Sequence, residues 1–166
     1  MIMGTGAHKT AGLTAFSKRE RPRRGHDGPM TDMTVTPKLV VDGADRAIEF
    51  YRRALGAEPL VRHTGPDGKV VYAEFRVGGS VLSIKDADQS DPAATGLFTL
   101  DVADAYAVGA ALEQAGATVV FPIDDQSYGM RQGRLADPFG IQWIVSQQLE
   151  ELSADEVQRR LESSTG

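Results

Sequence analysis

Chemistry in this chain would turn first on Glu74. Tyr72, Glu74 and Arg76 recur at a spacing of two, so in an extended strand all three project from one face. A carboxylate held in a closed pocket can act as a general base once its pKa is raised. The same carboxylate could instead form a salt bridge to Arg76, Lys38 or Lys85, and the residue types leave both readings open. Around it, Lys38, Ser83, Lys85, Thr99 and Gln142 offer charges and hydrogen bonds, and Tyr72 offers a ring. The segment from Asp124 to Arg131 is polar and carries Tyr128. Tyr128 and Arg131 could close over a ligand, or the segment could be a plain surface connection. The candidate binding set is therefore Lys38, Tyr72, Glu74, Ser83, Lys85, Thr99, Tyr128, Arg131 and Gln142, with Glu74 as the catalytic candidate. Of the three histidines, His8 and His26 lie near the start, and His63 stands alone beside a turn, where a surface position is expected. With no cysteine, thiolate metal sites, disulfides and thiol nucleophiles are excluded. No metal and no cofactor is expected.

These residues need elements to hold them. A short strand over 35–41 contains Pro37, which is tolerated at a strand start or edge, and Asp42 is a candidate helix cap. Over 44–55, Ala47, Ile48, Tyr51 and Leu55 form an apolar stripe with Phe50 beside it, and Gly56 stops the helix. Three extended runs follow at 58–64, 69–77 and 80–85, separated by the turns Gly65-Pro66-Asp67-Gly68 and Gly78-Gly79. In the second run, Val71, Ala73, Phe75 and Val77 alternate with Tyr72, Glu74 and Arg76. A polar connector at 86–95 leads to a strand at 97–102. The helix at 104–115 has Ala107, Val108, Ala111, Leu112 and Ala115 as its apolar stripe, and Gly116 ends it. Strands at 117–123, 132–136 and 141–146 complete the pattern, with 124–131 as a loop and Asp137-Pro138-Phe139-Gly140 as a turn. Ser153 and Glu156 have capping-box spacing for a final helix over 153–162.

The two series match at a nearly constant offset. Gly56-Ala57 recurs as Gly116-Ala117, Gly79 as Gly140 and Val41 as Val102. An internal repeat of this length decides the architecture. The fold class is α+β: two βαβββ repeats forming cup-shaped mixed sheets with helices outside. The organisation expected is a disordered basic leader at 1–33, one domain at 34–148 with repeats at 34–86 and 96–147, and a C-terminal helix and tail at 149–166. Met30 and Met33 would serve as alternative starts. Strand parity places Leu82, Ile84, Phe98, Leu100, Val102, Trp143 and Val145 under the helices. Thr36, Lys38, Tyr72, Glu74, Arg76, Val81, Ser83, Lys85, Leu97, Thr99, Gln142, Ile144 and Ser146 face the cup.

The repeat, together with Ala47-Ile48-Glu49-Phe50-Tyr51, Leu55-Gly56-Ala57 and the Asp137-Pro138-Phe139-Gly140 turn, resembles the vicinal oxygen chelate superfamily over about residues 34–148. That family includes glyoxalase I, extradiol dioxygenases, fosfomycin-modifying enzymes and bleomycin-resistance proteins. Within it the chain looks closest to the small bacterial glyoxalase/bleomycin-resistance-like proteins, and the resemblance implies a homodimer with a ligand cavity between cup-shaped sheets. The family's metal enzymes place His or Glu at four positions, which map here onto Thr36, Ser83, Leu97 and Ile144. Hydroxyls are poor ligands for divalent ions, and Leu and Ile cannot coordinate. The resemblance therefore implies a metal-independent binding protein that sequesters a small molecule, as in antibiotic resistance. The alternative is a lyase, isomerase or dioxygenase-like enzyme using Glu74 or a relocated metal site.

Charge narrows the partners. Residues 1–29 carry six basic against two acidic side chains, and residues 30–166 carry 12 against 21, a net of −9. An acidic body repels nucleic acid and favours a cationic ligand. No run reaches the roughly 18 apolar residues of a membrane span, and no secretory signal is recognisable. Neither a membrane nor a nucleic-acid partner is expected, and the location expected is cytoplasmic.

Overall fold

The computed structural model describes residues 34–163. The leader expected at 1–33 lies outside these, and so do residues 164–166. The chain runs β1 (Lys38–Val41), α1 (Ala44–Leu55), β2 (Glu58–Thr64), β3 (Val70–Val77), β4 (Ser80–Asp86), β5 (Gly96–Asp101), α2 (Ala105–Ala115), β6 (Thr118–Asp125), β7 (Met130–Ala136), β8 (Ile141–Gln148) and α3 (Ala154–Ser163). The fold is α+β, with two four-stranded mixed sheets ordered β1-β4-β3-β2 and β5-β8-β7-β6. In each sheet the first and last strands of the repeat are parallel neighbours, and the other pairs are antiparallel. The strands do not close into a barrel, because no strand of one sheet pairs with the other.

One core serves both repeats. Helices α1 and α2 pack on their own sheets and on each other. Tyr51 of α1 stacks on Phe75 of its own repeat at 5.3 Å and meets Trp143 of the other edge-on at 5.5 Å. Phe50 meets Phe139 at 5.9 Å. Ala73, Phe75, Leu82 and Ile84 are buried with Trp143 and Val145, as the strand parity requires. Aromatic contacts of this kind add to area burial, so the packing of each repeat includes rings of the other.

The helix starts show how the repeats are built. Gly43, not Asp42, is the N-cap of α1, in the left-handed region at φ 90° and with no side-chain cap of its own. Its role is taken from across the sheet by Asp86 at the end of β4. One Asp86 oxygen accepts the amides of Gly43 at 3.0 Å and Ala44 at 2.8 Å, and the other accepts Val70 at 2.7 Å. A carboxylate there satisfies otherwise orphaned helix amides. At the matching place in repeat two, Gln147 accepts the Ala105 amide at 3.1 Å, while Asp104 caps α2 through Ala107. Asp86→Ala should therefore cost about 2 kcal/mol in urea unfolding, more than Gln147→Ala, since it strands three amides rather than one.

Other boundaries depart from the sequence reading for identifiable reasons. Strand β1 begins at Lys38 rather than residue 35, although the Pro37 carbonyl still accepts the Ser83 amide at 2.9 Å. The loop expected over 124–131 is half strand, with residues 126–129 turning between β6 and β7. In α2, Ala107 is exposed, and the buried residues are Ala105, Gly109 and Leu112. In β3, Val70 is buried and Val71 exposed, because a register shift near Thr64 offsets the end of the β2–β3 ladder. Helix α3 has no buried residue. Its cap is half a capping box: Ser153 accepts the Glu156 amide, while Glu156 turns to Arg159 and Arg160.

Candidate functional site

Each sheet has one face covered by its helix and one face turned away from it. On the second sheet, the uncovered face is built by β6, β7 and β8. Strand β7 alternates, with Gly133 and Leu135 buried and Gln132 and Arg134 on the other side. Arg134 sits at the centre of this face, with Phe121 beside it on β6 and Ile144 on β8. Its guanidinium lies 5.2 Å from the centroid of the Phe121 ring. Next to it, Tyr128 donates to Gln132 at 2.8 Å and Gln132 donates to Ser146 at 2.9 Å. Phe121, Gln126, Tyr128, Gln132, Gly133, Arg134 and Ile144 line an open cavity of about 200 Å³. Arg134 Nε is buried there without a hydrogen-bond partner.

The first sheet carries different groups at the equivalent places. Glu74 lies between Val61 and Ser83, as Arg134 lies between Phe121 and Ile144. Tyr72 donates to Glu74 at 2.5 Å. Lys38 sits 5.6 Å from the Tyr72 ring centroid, and His63 stacks on the same ring at 6.4 Å. Of the cations expected to pair with Glu74, Arg76 goes to Glu58 and Lys85 goes to Asp88 and Asp91. The Lys85 contacts anchor the inter-repeat connector, and Lys85 together with two backbone amides holds the Asp88 carboxyl down at about 2.

The structure thus divides the predicted binding set. Lys38, Tyr72, Glu74 and Ser83 gather on the first sheet, where Ser83 is buried and its hydroxyl donates to the Pro37 carbonyl. Tyr128 lines the cavity on the second sheet. Arg131 does not join it: it points to the helix side, bonded to Asp125 at 2.6 Å and lying 4.6 Å from the Tyr106 ring centroid. Thr99 lines a separate cavity of about 510 Å³ between the end of α1 and β5. Gln142 pairs with Leu97 and Ala136 beyond the cavity. A groove of about 390 Å³ between α2 and β6 is mainly apolar, with Tyr106, Val119, Phe121 and Leu135 in its wall. Polar side chains from neighbouring strands and a turn converge on the Arg134 cavity. The sequence reading passed over Gln132 and Arg134, although counting 60 residues on from Tyr72 and Glu74 reaches both.

The family model of the glyoxalase/bleomycin resistance protein/dioxygenase superfamily matches residues 32–145. The chain belongs to this superfamily. An uncharacterised protein of Mycobacterium bovis is 37% identical over 140 residues, covering 78% of this chain and 92% of that protein. Among solved structures, TioX from Micromonospora sp. ML1 superposes with a TM-score of 0.59 at 22% identity, over 70% of this chain and 100% of that one. A Nocardioides glyoxalase/bleomycin resistance protein/dioxygenase gives 0.57 at 21%, over 76% and 90%. These two likenesses show the fold. At the four positions onto which the resemblance maps the metal ligands, Thr36 is exposed ahead of β1, Ser83 is buried and hydrogen-bonded, and Leu97 and Ile144 are hydrocarbon. This donor set does not fit a divalent metal. No helix among the described residues is long and apolar enough to cross a membrane.

Proposed function

We propose that this protein binds a small molecule on the uncovered sheet faces without a metal or other cofactor, and acts by sequestering it. The observation that carries this reading is the Arg134 cavity, where Tyr128, Gln132, Arg134 and Phe121 converge from two strands and a turn over a rigid sheet. The acidic body favours a cation at long range, but the formal charge lining this cavity is the Arg134 guanidinium. Two copies joining through their sheet edges would enclose the faces. In support, β2 and β6 are edge strands that expose Leu60, Val61, Val119, Val120 and Phe121, and such edges invite pairing.

The test is a ¹H–¹⁵N spectrum of the protein titrated with small aromatic compounds, alongside sedimentation to measure mass. Shifts should cluster on Tyr128, Gln132, Arg134 and Ile144, and the mass should be that of a dimer. Shifts confined to Tyr106 and Val119, in the groove beside α2, would overturn the assignment of the site.

A second reading, a lyase or isomerase, rests on Glu74, whose carboxylate is oriented by the Tyr72 hydroxyl as a general base would be. If Glu74→Gln keeps ligand affinity and abolishes turnover of that ligand, this reading replaces sequestration.

A further inference from the structure

Resting on the reading that the uncovered face of the second sheet takes a small molecule, we propose that the ligand is an oxyanion, a carboxylate or phosphate, carried on a flat aromatic body, and that Arg134 recognises it. Arginine has five donors in a planar fork that matches such a group with two parallel hydrogen bonds. The other described arginines already have oxygen partners: Arg46 on the Asp42 carbonyl, Arg52 and Arg53 on Glu49, Arg62 on Asp45, Arg76 on Glu58, Arg131 on Asp125, Arg159 on Glu156, and Arg160 on Glu150 and Glu156. Among the described arginines, Arg134 alone has neither a carboxylate nor a carbonyl, in a chain with an excess of acid. Its Nε is buried with no acceptor, and an unmet buried donor is costly enough that native structures rarely keep one without a purpose.

The surroundings define the rest of the ligand. Phe121 offers a ring face beside the guanidinium, and Ile144 offers an apolar floor. Gln132 and Tyr128 are already tied to each other and to Ser146, so they are held in place at the cavity wall. The equivalent position on the first sheet is Glu74, which would repel an anion. The anionic end is therefore directed to the second face.

The test follows the Arg134 Nε–H and the backbone amides by NMR against four probes sharing one ring: phenyl phosphate, benzoate, benzyl alcohol and benzylamine. Phenyl phosphate and benzoate should shift the Nε–H and saturate, with benzylamine roughly tenfold weaker or worse. Arg134→Gln should weaken benzoate by roughly tenfold or more and leave benzyl alcohol unchanged. Arg134→Lys should recover little, since an ammonium lacks the fork. Arg62→Gln, remote from the cavity, should change nothing. Benzylamine binding as tightly as benzoate at the same amides would overturn the anion assignment and leave the site standing. No shift at Tyr128, Gln132 or Ile144 with any probe would overturn the site itself. A dimer lost in Arg134→Gln with benzoate affinity unchanged would also overturn the proposal, placing Arg134 in a contact between copies.

Discussion

Asp137→Ala is expected to lower the free energy of unfolding by about 4 kcal/mol, measured by urea denaturation. The Asp137 carboxylate is 5% exposed and serves four donors. One oxygen accepts the Tyr51 hydroxyl at 2.8 Å and the Trp143 indole N–H at 3.0 Å. The other accepts the amides of Phe139 at 2.9 Å and Ile141 at 3.0 Å. The first pair fastens α1 of one repeat to β8 of the other, and the second shapes the turn between β7 and β8. Alanine leaves both groups of donors in a dry core, each at a cost of roughly 1–3 kcal/mol. Asp137→Asn keeps an acceptor oxygen but turns an amide N–H₂ toward donors, so its loss should be smaller. Tyr51→Phe removes one donor and keeps the hub, so it should cost least, about 1 kcal/mol. Equal losses in Asp137→Ala and Tyr51→Phe would show that the carboxylate is not the hub.

The same network sets a pH dependence. Burial, reinforced by the Asp137 charge, raises the Tyr51 phenol far above its ordinary value of 10.0. Below pH 10 the phenol is protonated in folded and unfolded chains alike, and its contribution is complete. Above pH 10 the unfolded chain loses that proton and the folded chain keeps it, so stability falls by roughly 1.4 kcal/mol per pH unit from this group. Denaturation midpoints between pH 9 and 11.5 should decline less steeply in Tyr51→Phe than in the parent. Parallel declines would contradict the assignment.

What the sequence shows plainly is what local period and punctuation determine. Gly56 and Gly116 stop the two helices, and the alternation of Ala73 and Phe75 with Tyr72 and Glu74 identifies the core side of β3. What it hides are partners far along the chain. Asp137 reads as a turn residue, and nothing near it announces Tyr51, 86 positions earlier. Asp86 reads as the first residue of a connector, yet it caps a helix 42 positions back. Arg131 and Arg134 are both plausible as site residues from composition, and only the strand parity set by the short turn at 126–129 sends one to the helix side and the other to the cavity. Gly133 is what obscures that parity, because a glycine in the middle of β7 interrupts the apolar alternation.

The glycine is there because β6 leaves no room for anything larger. Gly133→Ala is expected to cost about 3 kcal/mol and to disturb the Arg134 cavity together with stability. A Cβ on Gly133 would stand 2.5 Å from Ile123 Cγ1, an atom that valine keeps, 2.6 Å from the Ile123 backbone nitrogen and 2.7 Å from its Cα. Ile123 lies in the irregular stretch of β6 where the register shifts between Phe121 and Asp124, and Pro122 occupies the same bulge, where a missing N–H is tolerated. Relief therefore requires the β6 backbone to move, and with it Phe121, the ring beside Arg134. Gly109 in α2 is also confined by Ile123 but by a different part of it: its Cβ would stand 2.3 Å from Cδ1, with the next atom at 3.7 Å. Ile123→Val deletes that Cδ1. In double-mutant cycles Ile123→Val should recover much of the loss in Gly109→Ala and none of the loss in Gly133→Ala, since neighbours that share a clash couple while a backbone clash persists. If Ile123→Val rescued both, the obstruction at Gly133 would be a side chain, and Phe121 would hold its place when the glycine is replaced.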